Sequence, residues 1–249
     1  MWGFASVFRA LGRDMGFATL VFWACGALYI STLAIDPGSI RSGGLLSFLS
    51  PGIESLLAFG ASGAVPVFGF GRWWTVLSAG WLHAGLLHIV FNMMWVRDLV
   101  PVMAHLYGTA RTVIVYTVSS ITGFLASSLA GAFLPFFPRF LRGAGFTVGA
   151  SAPVFGLIGA LLWYGRRGGS SAVREAARGW ILGGLAFGFF FPGVDNWAHL
   201  GGLAGGYLTA RILDPLKPET GDHVVIAVVC LVLSAASVVA SIAVGLPGS

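Results

Sequence analysis

Three separated clusters of polar side chains stand out in a 249-residue chain that is 57% hydrophobic and only 9% charged. The first holds His83, His88 and Asn92, the second is Gly149-Ala150-Ser151, and the third runs from Asp195 to His199. A serine hydroxyl beside an imidazole can act as a nucleophile with its general base, the ring taking the proton as attack proceeds. Such a pair needs donors for the developing oxyanion, and the Asn92 amide, His88 and the Ser151 backbone N–H are the available set. Gly149, two residues before Ser151, leaves room for a close backbone approach that a side chain would block. His88 and Asn92 are four apart and share one helix face, whereas His83, five before His88, points elsewhere and is read as a brace for the preceding loop. Asp195 lies one turn before His199, but an Asp just ahead of a helix start accepts orphan amide hydrogens. It is therefore assigned to capping, and the chemistry to a Ser151–His199 dyad.

Taken singly, each of these residues has a structural reading. A His or Asn in a span can make an interhelical hydrogen bond, and a Ser can bond back to its own helix. It is the combination that points to chemistry. The Gly-Ala-Ser-Ala run lacks the strand, sharp turn and second glycine of a hydrolase nucleophile elbow. No CxxC or HExxH spacing occurs, which argues against a zinc membrane protease, and Cys25 and Cys230 read as small buried hydrophobes.

The elements that must carry these clusters follow from hydropathy. So apolar a composition excludes a disordered chain, a disulfide scaffold and an ordinary soluble globule, and indicates an integral membrane protein. A bilayer core of about 30 Å requires roughly 20 helical residues. Seven apolar runs approach this length: Phe17–Ile35, Gly80–Val102, Thr112–Leu134, Gly149–Gly165, Ala176–Phe191, Asn196–Leu213 and His223–Val244. The first is too long for a signal-peptide core and is read as an uncleaved span. The fifth and sixth are short, and a Pro192-Gly193 turn separates them.

With the N-terminus inside, the outer segments hold four of the 14 cations, Arg41, Arg72, Arg139 and Arg142, and the other ten, including Arg9 and Arg13, fall inside. This asymmetry orients the chain, puts the C-terminus outside, and explains the basic balance without nucleic acid. The second, fourth and sixth spans then all begin at the outer face, which brings the three polar clusters to one depth. Ionisable groups inside a membrane are costly and are functional candidates by default. Asp36 to Ala79 forms a long outer loop that is itself apolar, expected in the membrane interface with Trp73 and Trp74 at headgroup depth.

These motifs resemble those of the rhomboid intramembrane serine proteases. The resemblance runs through WWTVLSAGWLHAGLLHIVFN, GASAPVFGLIGA and AHLGGLAGG, from about Trp73 to Arg211. It implies an all-α, polytopic transmembrane helix bundle of about seven helices with a membrane-embedded first loop. Residues 1–214 would form the six-helix core, and 215–249 a linker and an extra seventh helix. It also implies Ser151 as nucleophile and His199 as base, with His88, Asn92 and the Ser151 amide holding the oxyanion. Phe155 matches an aromatic position that packs on the catalytic imidazole, and Gly202 and Gly206 match a GxxxG pair that lets the fourth and sixth spans touch.

The implied activity is cleavage of other transmembrane proteins near the outer membrane face, without cofactor or metal, in the cytoplasmic membrane if the source is bacterial. Substrates are expected to reach the site laterally past the fifth span, whose Gly183, Gly184 and Gly188 weaken its packing. Three positions depart from the family pattern. Ala152-Pro153 follows the nucleophile, which a first helical turn tolerates. Trp74-Thr75 replaces a Trp-Arg pair, so a bond from that Arg is lost or replaced, with Arg72 the candidate. Ala104 replaces a Glu after the second span. Two other classes were weighed: a non-cleaving rhomboid-like binder of membrane clients, whose mark would be loss of Ser151 or His199, and a small transporter, for which paired broken spans are absent.

Overall fold

The computed structural model describes residues 16–44, 47–134, 136–138, 142–191 and 193–245. Arg9, Arg13, Arg139 and Pro192, used above for orientation and for a turn, lie outside them. Among the described residues there is no strand beyond two isolated bridges, Arg41 with Ser50 and Ser62 with Thr147. The architecture is a helical membrane bundle.

Among the described residues, seven long helices correspond to the seven expected spans: α1 Gly16–Ile35, α4 Leu86–Tyr107, α5 Thr109–Phe133, α6 Ser151–Arg167, α7 Ser171–Phe190, α8 Asn196–Leu213 and α9 Gly221–Gly245. Two short helices, α2 Ile53–Phe59 and α3 Thr75–Ser78, lie in the first loop. α1, α4, α5 and α9 are each long and apolar enough to cross a membrane. α6 has only 17 residues, α7 opens with Arg174, Glu175 and Arg178, and α8 is rich in glycine.

The second span departs from its expected start. Gly80 to Gly85 are not α-helical: a 3-10 turn covers Ala79–Trp81, Leu82 is extended, and the helix begins at Leu86. Hydropathy could not see this, because Trp81 and Leu82 are buried apolar side chains whether or not the backbone is helical. His83 therefore precedes the helix, and helical spacing does not set its direction.

Polarity in this bundle is distributed for lipid rather than water. Large apolar side chains such as Trp23, Val225 and Val239 face outward, while Thr112, Ser119, Ser120, Ser127 and Ser128 of α5 are buried. With hydrocarbon outside, apolar burial drives little, and small or hydroxylated residues let backbones approach and pack. α5 is the most enclosed of the four helices long and apolar enough to cross a membrane, and α8 packs most extensively against α5 and α6. α7 is peripheral, with Ala177 its one buried residue among those described.

The first loop is a folded layer. Leu56, Ala58 and Phe59 of α2 are buried, Trp73 is exposed, and Trp74 is only half-buried because its indole turns inward toward α9. At the opposite end, Arg111 of α5 is buried and spends its guanidinium on the α8–α9 linker. It donates to the carbonyls of Lys217 (2.8 Å), Asp214 (3.3 Å) and Pro218, and to His223 Nδ1 at 3.4 Å. Its backbone N–H meets Glu219 Oε1 at 3.0 Å.

Arg111→Leu leaves these carbonyls without their donor and is expected to lower unfolding stability by about 2–4 kcal/mol. Thermal unfolding of the purified protein in detergent checks this; an unchanged midpoint would mean that the linker is held by other contacts.

Candidate active site

Ser151 is the first residue of α6, and the backbone leading to it is laced to the first loop. Ser62 and Thr147 exchange both backbone hydrogen bonds (3.1 and 2.8 Å), and the Ala64 and Val65 amides donate to the Ala144 and Gly145 carbonyls. The Gly149 N–H donates to Ala79 O at 2.9 Å. Gly149 has φ of +134°, a value that suits glycine. The helix then runs on through Ala152-Pro153 to Arg167, so the proline two residues after Ser151 is accommodated in the first turn.

His199 lies in the first turn of α8, whose start is set by Asp195. The Asp195 carboxylate accepts from the Ala198 N–H at 3.0 Å, as a capping residue does. Its other oxygen accepts from Ser127 Oγ of α5, and Ser127 Oγ in turn accepts from the Ala144 N–H at 3.2 Å. Ser127 was not legible as a site residue, because a serine within a span has no signal beyond an ordinary helix contact.

Ser151 Oγ and His199 Nε2 are 3.0 Å apart, and His199 is 5% exposed. Its ring stacks on Phe155, with centroids 4.1 Å apart and planes 7° from parallel. His199 Nδ1 has no hydrogen-bond partner among the described residues, and both Asp195 oxygens are engaged elsewhere. The arrangement is a pair, not a triad. A neutral His199 with its proton on Nδ1 presents a free Nε2 lone pair to the hydroxyl, the state a general base requires.

This short distance rests on glycine. A Cβ on Gly202 would stand 2.1 Å from Ala152 O, and one on Gly206 2.0 Å from Gly156 O. On the other side of α8, a Cβ on Gly201 would stand 2.6 Å from Thr122 O of α5 and one on Gly205 2.0 Å from Thr122 Oγ1. Ala79, Phe124, Ala152 and Ala198 form a small core where the three helices and the first loop meet.

His88 and Asn92 lie on α4 as their spacing implies. Asn92 is buried and its Nδ2 donates to His88 O at 2.8 Å. His88 Nδ1 accepts from the Ala84 N–H at 3.3 Å, so a neutral ring carries its proton on Nε2. That nitrogen faces Gly149: a Cβ there would lie 2.6 Å from His88 Nε2 and 3.7 Å from Ser151 Oγ. His83 is fully buried and meets His88 edge-on, with centroids 5.2 Å apart. Its ring thus packs on that of His88, a contact that its sequence spacing did not suggest.

Above His88 lies a cavity of about 760 Å³, walled by Ile53, Leu56 and Ala61 of the first loop, by Thr147 and Val148, and by Gly188, Val194 and Asp195 at the α7–α8 end. The fifth-span glycines do not all loosen packing. Gly184 sits against the Phe155 ring and Gly188 against Asn196, whereas Gly183 has open space beside it.

A family model described as "Rhomboid domain" matches residues 70–215, which include every polar group of this site. The chain is 30% identical to rhomboid protease GluP of Bacillus subtilis over 87% of its own length and 39% of that relative. It is 31% identical to the putative rhomboid protease YdcA of the same organism, over 55% of this chain and 66% of that relative. It is also 32% identical to RHOMBOID-like protein 4 of Arabidopsis thaliana, over 59% of this chain and 36% of that relative. The chain thus spans well under half the length of GluP and of RHOMBOID-like protein 4. It belongs to the rhomboid family and is an integral membrane protein.

Gly202→Val is expected to wedge α8 from α6, cost about 1–3 kcal/mol of stability and lengthen the Ser151–His199 contact. Gly179→Ala, where nothing lies within 4 Å, serves as the control. Thermal unfolding together with the reactivity of Ser151 toward a fluorophosphonate reads both effects; equal behaviour of the two variants would mean that close helix approach does not hold the pair.

Proposed function

We propose that this protein is an intramembrane serine endopeptidase that cleaves transmembrane substrates near the outer membrane face. The observation that carries the reading is the 3.0 Å contact between Ser151 Oγ and His199 Nε2. Ser151 Oγ attacks the scissile carbonyl carbon while His199 Nε2 takes its proton, forming a tetrahedral oxyanion. The Ser151 amide, His88 Nε2–H and Asn92 Nδ2–H are the donors for that charge. The intermediate collapses to an acyl-enzyme as His199 returns the proton to the departing amine. Water, deprotonated by the same imidazole, then releases the acyl group.

The remaining features support parts of this reading. Phe155 holds the imidazole plane by stacking, and Gly149 gives His88 access to the oxyanion position. The cavity above His88 offers water a route to a site within the membrane. The six-helix core, residues 1–214, carries the chemistry, and residues 215–249 are an appended linker and helix. The N-terminus lies inside and the C-terminus outside, so the cavity opens outward, in the cytoplasmic membrane of a bacterial cell. A non-cleaving client binder is the competing reading; both Ser151 and His199 are retained and in contact, which favours the protease.

Labelling by a fluorophosphonate is expected for the wild-type protein and not for Ser151→Ala or His199→Ala. Ser151→Ala is expected to abolish cleavage of a transmembrane reporter while the fold is kept. Asn92→Ala is expected to leave residual activity, about two to three decades lower, since one oxyanion donor contributes about 3 kcal/mol. Equal cleavage by wild type and Ser151→Ala would overturn the mechanism, and no labelling of a folded wild type would favour the binder.

A further inference from the structure

The outer end of α9 is fastened to the first loop by three contacts. Trp74 Nε1–H donates to Ser241 Oγ at 3.1 Å; the Ser241 hydroxyl hydrogen goes to Ser237 O at 2.8 Å, which leaves its lone pairs for the indole. Arg72 Nη2 donates to Val244 O at 3.3 Å. Val244 is in the last turn of α9, where carbonyls lack intrahelical partners and a cation complements the helix dipole. Gly245 lies so close to α2 that a Cβ there would come within 2.6 Å of Ala58 Cα. The Arg that the family pattern places after the tryptophan is Thr75 in this chain, and Arg72 and Trp74 reach α9 instead.

From these anchors a short covalent and hydrogen-bonded path leads to the nucleophile. Trp74 immediately precedes the four-residue α3, and α3 leads directly into Ala79. The Ala79 carbonyl accepts from the Gly149 N–H, two residues before Ser151. A second path runs from Thr75 Oγ1, whose own hydrogen goes to Arg72 O at 2.8 Å and which accepts from the Ser62 hydroxyl at 3.2 Å, through the Ser62–Thr147 pairing into the same segment. The inner end of α9 is held independently by Arg111, which bonds His223 in its first turn at 3.4 Å and the linker residues Lys217 and Glu219 just before it, so the helix is tied at both ends and can hold the loop in place.

We infer that α9 is a positioning element of the catalytic site, and that Trp74, Ser241 and Arg72 are positioning residues that set the segment carrying Gly149 and Ser151. The inference rests on the serine-protease reading. It assigns a role to the seventh helix that lies outside the proposed six-helix catalytic core. None of the three residues touches the reacting atoms; each acts through the first loop.

The test uses the full chain in detergent and the single substitutions Trp74→Phe and Ser241→Ala, which remove only the donor or only the acceptor, together with their combination. Two readouts are taken: the second-order rate of Ser151 labelling by a fluorophosphonate, which involves no transmembrane substrate, and the rate of trypsin cleavage after Arg72. Each single variant is expected to slow labelling about three- to tenfold and to speed nicking at Arg72, with the double variant no slower than the singles because one hydrogen bond is shared. Unchanged labelling in both singles, with or without faster nicking, would overturn the positioning role. Multiplicative effects in the double variant would overturn the assigned partnership. If the folded wild type does not label at all, the protease reading falls. The anchor is then judged by nicking alone, faster cleavage in the variants supporting it and unchanged cleavage overturning it.

Discussion

The contact between Ser151 and His199 depends on two helix backbones lying almost against one another. A hydroxyl at the first residue of α6 and an imidazole in the first turn of α8 have short reach, so a 3.0 Å separation requires that no side chain stand between the helices. Gly202 and Gly206 meet that requirement against the carbonyls of Ala152 and Gly156. Gly201 and Gly205 repeat it against Thr122, so α8 is seated between α5 and α6 and its rotation is fixed from two sides. Were α8 to turn or slide by a fraction of a helical turn, the imidazole would lose both the hydroxyl and the Phe155 ring together.

The bilayer imposes a second constraint, because unpaired polar groups cannot be left to water. The hydroxyls of α5 are turned inward, and several bond to their own helix, as Thr112 and Ser128 do to Gly108 and Phe124. Asp195 has one oxygen on the cap of α8 and the other on Ser127, which itself holds Ala144. In this way the helix that carries His199 and the segment that leads to Ser151 are linked to the same α5 hydroxyl. Because one carboxylate makes both bonds, it helps to keep the two halves of the site in register.

Legibility in the sequence varied with the physical signal. The sixth span was read as Asn196–Leu213 and is observed there, because Asp195 caps it and the turn at Gly193 precedes it. The fifth was read from Ala176 but begins at Ser171, since hydropathy tracks the membrane and the helix continues through Arg174 and Glu175 beyond the apolar stretch. The second begins six residues later than hydropathy indicated, for the converse reason: apolar residues there form a 3-10 turn and an extended stretch. Phe155 lies against the His199 ring and Gly149 against His88, the latter a contact that the sequence did not indicate.

Sequence alone determined that this chain crosses a membrane as several helices, which polar residues are too costly to be incidental, and that its motifs are those of the rhomboid family. Composition and short-range spacing carry that information, because hydropathy and helix periodicity act over a few turns. Only the tertiary structure could decide that Arg72 and Trp74 turn to α9, that Arg111 caps the α8–α9 linker, that Ser127 joins Asp195 to Ala144, and that His83 meets His88 edge-on. Most of these contacts join residues far apart in the chain, and all of them form only where the helices and turns meet, a geometry that no local pattern encodes.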